Sequence, residues 1–217
     1  MQGGDVNRKA SKVWSTASLL TVLLGLTHCG GTQPPPEAEG ELAQLEQALA
    51  LPTLTFAPEA DAWVEESSPH TSHGSTPELL ADGSPTRETW LRFRVSAVPG
   101  RVTQAKLRLY AFDPTEDGPA VYDAQGGWSE DTLTWSNRPA LQGPPVADVG
   151  AISLNRWAEW DVTSLAQDCG THDFVLVPTS GNGVDFYSRE SSQTALRPQL
   201  VLTYEPGTAG CTEPTDV

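Results

Sequence analysis

The spacing of hydrophobic positions changes twice along the chain. Val13 to Leu26 is an apolar stretch preceded by Arg8, Lys9 and Lys12, too short for a comfortable bilayer crossing and ordered like an export signal. A Gln33-Pro34-Pro35-Pro36 spacer follows, and then Leu42, Leu45 and Leu49 recur at helical spacing among Glu, Gln and Ala. That spacing predicts a short amphipathic helix within Glu41 to Leu51, serving as a stalk. From Leu54 onward the apolar runs are short, alternate with polar residues and are broken by turn formers. They predict strands near residues 53 to 57, 61 to 65, 89 to 95, 102 to 112, 119 to 123, 132 to 135, 145 to 150, 157 to 162, 172 to 178, 184 to 189 and 199 to 204. The expected class is all-β, a jelly-roll-like β-sandwich behind a signal peptide and a Pro-rich linker. The divisions expected are 1–28 signal peptide, 29–51 linker, 52–205 sandwich and 206–217 C-terminal tail.

The clearest alternation runs from Thr89 to Val95, where Leu91, Phe93 and Val95 face one way and Trp90, Arg92 and Arg94 the other. The next strand repeats it, with Leu107 and Leu109 toward the core and Lys106, Arg108 and Tyr110 outward. With Val98-Pro99-Gly100 as the turn, the two strands are expected to pair as a hairpin. Its outer face would then collect Trp90, Arg92, Arg94, Lys106, Arg108 and Tyr110 into one cationic, aromatic platform.

Charge makes this platform unusual. The 217 residues carry 28 acids against 13 Lys plus Arg, for a net charge of -15. Loss of the first 28 residues removes three basic groups and Asp5, leaving 10 against 27, or -17. Such a field repels phosphate backbones and argues against a nucleic-acid partner. Yet Arg87, Arg92, Arg94, Arg101, Lys106 and Arg108 fall within 22 residues that hold one acid, Glu88. Two readings stay open: a cation wall that grips sugars carrying carboxylates, or arginines paired across strands with neighbouring acids that merely keep the face soluble. Seven Trp, five Phe and four Tyr against a single Met suit a secreted β-protein with aromatic surface features.

The cysteines divide by position. Leu26-Thr27-His28-Cys29-Gly30 resembles a bacterial lipobox, in which Cys29 is lipidated and becomes the mature N-terminus, although His28 is bulkier than the small residue usual there. The expected location is therefore the bacterial cell envelope, through a lipid anchor, or the exterior if Cys29 stays free. Cys169 and Cys211 form an even pair for an oxidising compartment, and a disulfide between them is expected, two unpaired thiols being the alternative.

Catalytic constellations are missing. His70 and His73 have H-x-x-H spacing, but no further motif completes a metal set, and a solvated loop is the simpler reading, so no metal ligand is assigned. Asp113-Pro114-Thr115-Glu116-Asp117-Gly118 opens like a calcium loop, but Ala124 stands at the twelfth position, which excludes an EF-hand and leaves a looser calcium site possible. Glu130-Asp131 and Glu65-Glu66 point to opposite faces of any strand, so neither makes a hydrolytic pair. No nucleophile elbow or phosphate loop is present.

Seven segments, taken in order, resemble the bacterial DNRLRE domain, also classed as carbohydrate-binding module family 96. They are Ala60-Asp61-Ala62-Trp63-Val64, Arg87 to Phe93, Ala105 to Tyr110, Trp128-Ser129-Glu130-Asp131-Thr132-Leu133-Thr134-Trp135-Ser136-Asn137-Arg138-Pro139, Trp160 to Leu165, Phe186-Tyr187-Ser188-Arg189-Glu190 and Arg197 to Leu200. They span about residues 54 to 204, and the Trp128 and Ser188-Arg189-Glu190 segments are the most specific. The resemblance implies a non-catalytic, polysaccharide-binding sandwich, alginate being a ligand of some members, and a structural role for Arg189-Glu190 and Trp128-Ser129-Glu130. The alternative expectation is a structural or adhesive surface protein whose sandwich contacts other proteins.

Overall fold

The computed structural model describes residues 50–212. The predicted signal peptide, the lipidation site Cys29 and almost all of the predicted linker lie outside the described residues. Eleven strands form: β1 (Thr53–Phe56), β2 (Pro58–Glu65), β3 (Glu78–Gly83), β4 (Thr86–Val95), β5 (Ala97–Ala111), β6 (Ala120–Ala124), β7 (Leu141–Ala147), β8 (Arg156–Asp161), β9 (Gly170–Val177), β10 (Val184–Tyr187) and β11 (Gln199–Thr212). Among the described residues one 3-10 turn, Thr194–Leu196, interrupts them.

Every strand pairing is antiparallel, and two sheets face each other across the core. In the first, β5 is flanked by β8 on one side and by β11, then β10, on the other, with β1 beyond β11. In the second, β4 lies between β2 and β9, and β6 and β7 continue outward from β9. β3 belongs to both, pairing with β10 through Glu78 to Ala81 and with β4 through Asp82 and Gly83. This is the expected β-sandwich. Leu107, Leu109, Trp160, Phe186, Leu200 and Leu202 from the first sheet meet Leu91, Phe93, Phe174 and Leu176 from the second, all with essentially no solvent exposure. The polar end of the Trp160 ring is satisfied by its Nε1–H, which donates to the Pro119 carbonyl at 2.8 Å.

The expected β4–β5 hairpin does not form. β4 ends at Val95 in the second sheet and the chain crosses at Ser96 to begin β5 in the first. Val98-Pro99-Gly100 is no turn but part of β5, paired with the far end of β11, where a Cβ on Gly100 would collide with the Glu205 carbonyl. That pairing also continues β11 to Thr212, through residues assigned above to a tail.

A second apolar cluster lies on the outside of the second sheet. Ala62 and Val64 of β2, Trp90 of β4 and Val175 of β9 are covered by Trp128 and Leu133 from the segment between β6 and β7. The strand expected at 132 to 135 is instead a tight turn in this cover. Thr132 and Leu133 donate backbone N–H groups to the Ser129 carbonyl, and the Asn137 side chain accepts from Thr134 N and donates to Thr132 O. β4 is therefore buried on both faces: Thr89, Trp90 and Leu91 all have 0% exposure. The alternation of this strand separates two interiors, not an interior from water.

The expected disulfide is present. Cys169, just before β9, and Cys211, near the end of β11, have Cα atoms 5.5 Å apart and tie the second sheet to the first. Replacing both by serine opens a cross-link between positions 42 residues apart. On the chain-entropy account it lowers the unfolding free energy by about 2–4 kcal/mol, measured by chemical denaturation with and without reductant.

Candidate functional site

The six residues expected to share one wall are divided between opposite outer faces of the sandwich. Lys106, Arg108 and Tyr110 lie outward on β5 in the first sheet, whereas Trp90, Arg92 and Arg94 lie on the outer side of β4 in the second. The alternation along each strand is as read from the sequence; the pairing between the strands is not. Since β4 and β5 lie in different sheets, no face can gather all six.

On the second sheet that face runs from buried Trp90 through half-buried Arg92 to exposed Arg94. Trp90 is fully buried, with its ring edge-on to Trp128 at 6.2 Å. Arg92 is locked in place. Its Nε donates to Asp173 at 2.8 Å, its Nη1 to the Trp128 carbonyl at 3.0 Å, and its guanidinium lies 4.6 Å from the Trp128 ring centre. The Trp128 Nε1–H donates to the same Asp173 oxygen at 2.6 Å. Burial pushes the Asp173 carboxyl above its ordinary pKa, with the neighbouring guanidinium opposing the shift. Arg94 is exposed on the same sheet. A depression of about 610 Å³ opens beside Arg92, with Glu59, Asp123 and Asp173 around it. Three carboxylates against one guanidinium make it a poor receptor for an anionic polymer.

The first sheet keeps its outer face open. Registered pairs bring Tyr110 opposite Trp157 and Arg108 opposite Glu159, with Gln199 of β11 on the other flank of Arg108. The Tyr110 and Trp157 rings meet edge-on at 5.4 Å, Tyr187 of β10 stacks near Tyr110 at 6.1 Å, and Phe112 lies 4.7 Å from Tyr187. These four rings form a half-exposed band. The Arg108 guanidinium sits 4.6 Å from the Trp157 ring centre while its Nη1 donates to Gln199. Glu159 receives Lys106 at 2.9 Å and Arg108 at 2.7 Å. Lys106 and Arg108 together hold its carboxyl below its ordinary pKa, the Lys106 hydrogen bond being the largest influence.

The bland reading of the basic cluster therefore describes most of it. Arg87 pairs with Glu65, Arg92 with Asp173, Arg101 with Glu205, and Lys106 and Arg108 with Glu159, each across to another strand. Trp157, Tyr187 and Phe112 were not picked out from the sequence, since they stand outside the basic segment. Their positions outward of Ala158, Phe186 and Ala111 were the available signal.

A third arrangement joins three of the motif segments. Glu130, in the cover over the second sheet, accepts the backbone N–H of Asp61 at 2.8 Å and the Arg189 Nη1 at 2.7 Å. Arg189 lies 3.2 Å from Glu190, and its own backbone N–H donates to Asp61 Oδ2 at 2.8 Å. Asp61 is 1% exposed. Burial is the main reason its carboxyl is pushed up to about 8. The structural role expected for Arg189-Glu190 and Trp128-Ser129-Glu130 matches this geometry, with Arg189 bonded to both Glu130 and Glu190.

The histidines do not converge on a metal. His73 stacks flat on Trp63 at 3.6 Å, and burial lowers its pKa, while His70 is exposed. The acids of the 113–118 loop do not come together either: Thr115 ties that loop to the Asn182 carbonyl, and Asp113, Glu116 and Asp117 are exposed.

A family model for carbohydrate-binding module family 96 matches residues 52–204, from β1 through the first half of β11. The chain belongs to carbohydrate-binding module family 96. Its resemblance on the Trp128 and Ser188-Arg189-Glu190 segments is thereby accounted for, and in this module those segments meet at Glu130 and Arg189. The module is also similar to a gellan lyase from a Bacillus species, at 26% identity over 209 residues. That alignment covers 88% of this chain and 8% of the enzyme, so the chain spans about a twelfth of its relative's length.

The two arginines differ in what they support. Arg92→Ala leaves Asp173 buried without its cation and lowers stability by about 3 kcal/mol. Arg108→Ala removes surface pairs and costs under about 1 kcal/mol. Thermal and urea denaturation of both variants checks this ordering.

Proposed function

We propose that the module binds a polysaccharide along the outer face of the first sheet and carries out no chemistry on it. The single observation behind this reading is the open band of Trp157, Tyr110, Tyr187 and Phe112 beside Arg108 and Lys106. Aromatic faces pack against the C–H faces of sugar rings, while guanidinium and ammonium groups donate charge-assisted hydrogen bonds to hydroxyls or carboxylates. Family membership and the likeness to a gellan lyase support a glycan ligand. Because Glu159 already engages both cations, stacking carries most of the affinity in this reading, and preference for uronic-acid polymers is secondary.

Calorimetric titration of the full chain against alginate, gellan, pectate and neutral glucans tests it. Binding is expected to at least one polymer, with Tyr110→Ala or Trp157→Ala weakening it about tenfold or more, the equivalent of about 1.4 kcal/mol. Glu159→Gln, by releasing Lys106 and Arg108, should strengthen binding to the acidic polymers and make it more sensitive to salt. No binding to any polymer at low salt removes the proposal and leaves the protein-contact reading in its place.

We further propose display at the bacterial cell envelope through a lipid on Cys29, a reading supported by the order of charged segment, apolar stretch and cysteine. Cys29→Ser should move the protein from the membrane fraction to the soluble exported fraction and abolish incorporation of labelled fatty acid. Unchanged fractionation and labelling would rule the anchor out.

A further inference from the structure

Asp61, Glu130 and Glu190 come from three separate parts of the chain, β2, the cover over the second sheet and the turn after β10. One ligand-type oxygen from each lies within 4.8 Å of the other two. Ionised, they carry three negative charges, and Arg189 is the cation that bonds to them. Most of the polar capacity around the cluster is used: Asp61 Oδ2 takes the Arg189 backbone N–H, Glu130 Oε1 takes the Asp61 N–H, and Glu130 Oε2 takes the Arg189 guanidinium.

Two oxygens are left over. Asp61 Oδ1 and Glu190 Oε2 are buried and have no hydrogen-bond partner. The neighbouring Glu190 carboxyl adds to burial in raising the Asp61 pKa. A buried acceptor without a donor is costly, the more so when charged, so these two oxygens, on carboxylates clustered within 4.8 Å, call for a cation or donor beside them. Neighbouring side chains fix the frame around the cluster. Ser72 Oγ donates to the Glu130 carbonyl at 3.3 Å, and a Cβ on Gly74 would collide with that same carbonyl, so only glycine lets the 68–76 loop pack this closely.

We propose that Asp61, Glu130 and Glu190 bind a divalent cation, calcium, that neutralises the carboxylates and fastens β2, the cover and the β10 turn to one another. The donor chemistry selects the ion. All three ligands are carboxylates, with no imidazole or thiolate among them, which disfavours zinc and favours hard cations. Calcium accepts mixed mono- and bidentate carboxylates with water filling the remaining positions, whereas magnesium demands near-ideal octahedral geometry and gives up its water reluctantly. Glu130 and Glu190 are only partly buried, with 18% and 26% of their side chains exposed, so an ion can enter from solvent. The site is separate from the 113–118 loop, whose sequence resembles the start of a calcium loop, and from the aromatic band of the first sheet.

A shared proton between Asp61 and Glu190 is the rival occupant, and the experiment separates the two. The full chain, stripped with EGTA, is titrated calorimetrically with CaCl₂ and in parallel with MgCl₂, and its melting temperature is followed at each ion concentration. Calcium is expected to bind at one ion per chain and to raise the melting temperature by about 3 °C or more at millimolar concentration, with a smaller effect of magnesium. Glu190→Gln and Asp61→Asn should each weaken calcium binding about tenfold or more and remove the thermal shift, while Glu190→Gln melts at or above the wild-type temperature in EGTA because a like charge is gone. If Asp61→Asn fails to fold, Glu190→Gln decides alone, its side chain being at the accessible rim. No calcium heat and no thermal shift in the wild type, or an undiminished response in folded Glu190→Gln, overturns the site in favour of the shared proton.

Discussion

A strand with no wet face constrains everything around it. β4 places Leu91 and Phe93 in the main core and Trp90 in the smaller one, so the second sheet cannot stand with its outer side bare. The segment between β6 and β7 has to cover it, and that requirement explains why the segment carries Trp128, Leu133 and Trp135 where a connecting loop ordinarily carries small polar residues. Laying the cover down has polar consequences. It brings the Trp128 carbonyl and indole to Arg92 and Asp173, Arg138 to Glu88 at 2.8 Å, and Glu130 to Asp61 and Arg189. Burial raises the pKa of Glu88 as it does that of Asp173, so both pairs place a costly carboxylate where a guanidinium meets it.

The two outer faces thus have different fates. One sheet is sealed by its own chain and its charges are turned inward to hold the seal. The other is left open, and along it the half-exposed rings of Trp157, Tyr110 and Tyr187 lie in one row with Arg108 resting on the tryptophan. Half-buried aromatic side chains in such a row are not demanded by packing, since the residues alternating with them, Ala158, Leu109 and Phe186, already fill the core. That contrast, more than net charge, distinguishes the two outer faces of this module.

Much of this was legible in the residues. Short alternating runs gave the all-β class and most strands, and the even cysteine pair gave the disulfide. The inward members of β4 and β5, Leu91, Phe93, Leu107 and Leu109, were assigned correctly because period-2 alternation depends only on the strand itself. What alternation cannot say is which strand lies beside which, or whether the polar side meets water or a second layer. Arg92 and Arg108 look alike in sequence, yet one is bonded to Asp173 and the Trp128 carbonyl and the other to Glu159 and Gln199, and the difference is made by residues more than thirty positions away. β3 was missed because Glu78–Gly83 holds only a short apolar run ending in Asp-Gly. The acidic cluster was out of reach for the same reason, its members being brought together by pairings such as Asp61 with Arg189 across 128 residues.

The cross-link between Cys169 and Cys211 and the short β1 also set how the module carries load. Tension arriving through the chain ahead of Thr53 meets first the ladder between β1 and β11, which is four residues long. The other end of β11 is held covalently to the opposite sheet. A pull from that side would therefore load the four β1 pairs at the sheet edge before the disulfide-held end of β11.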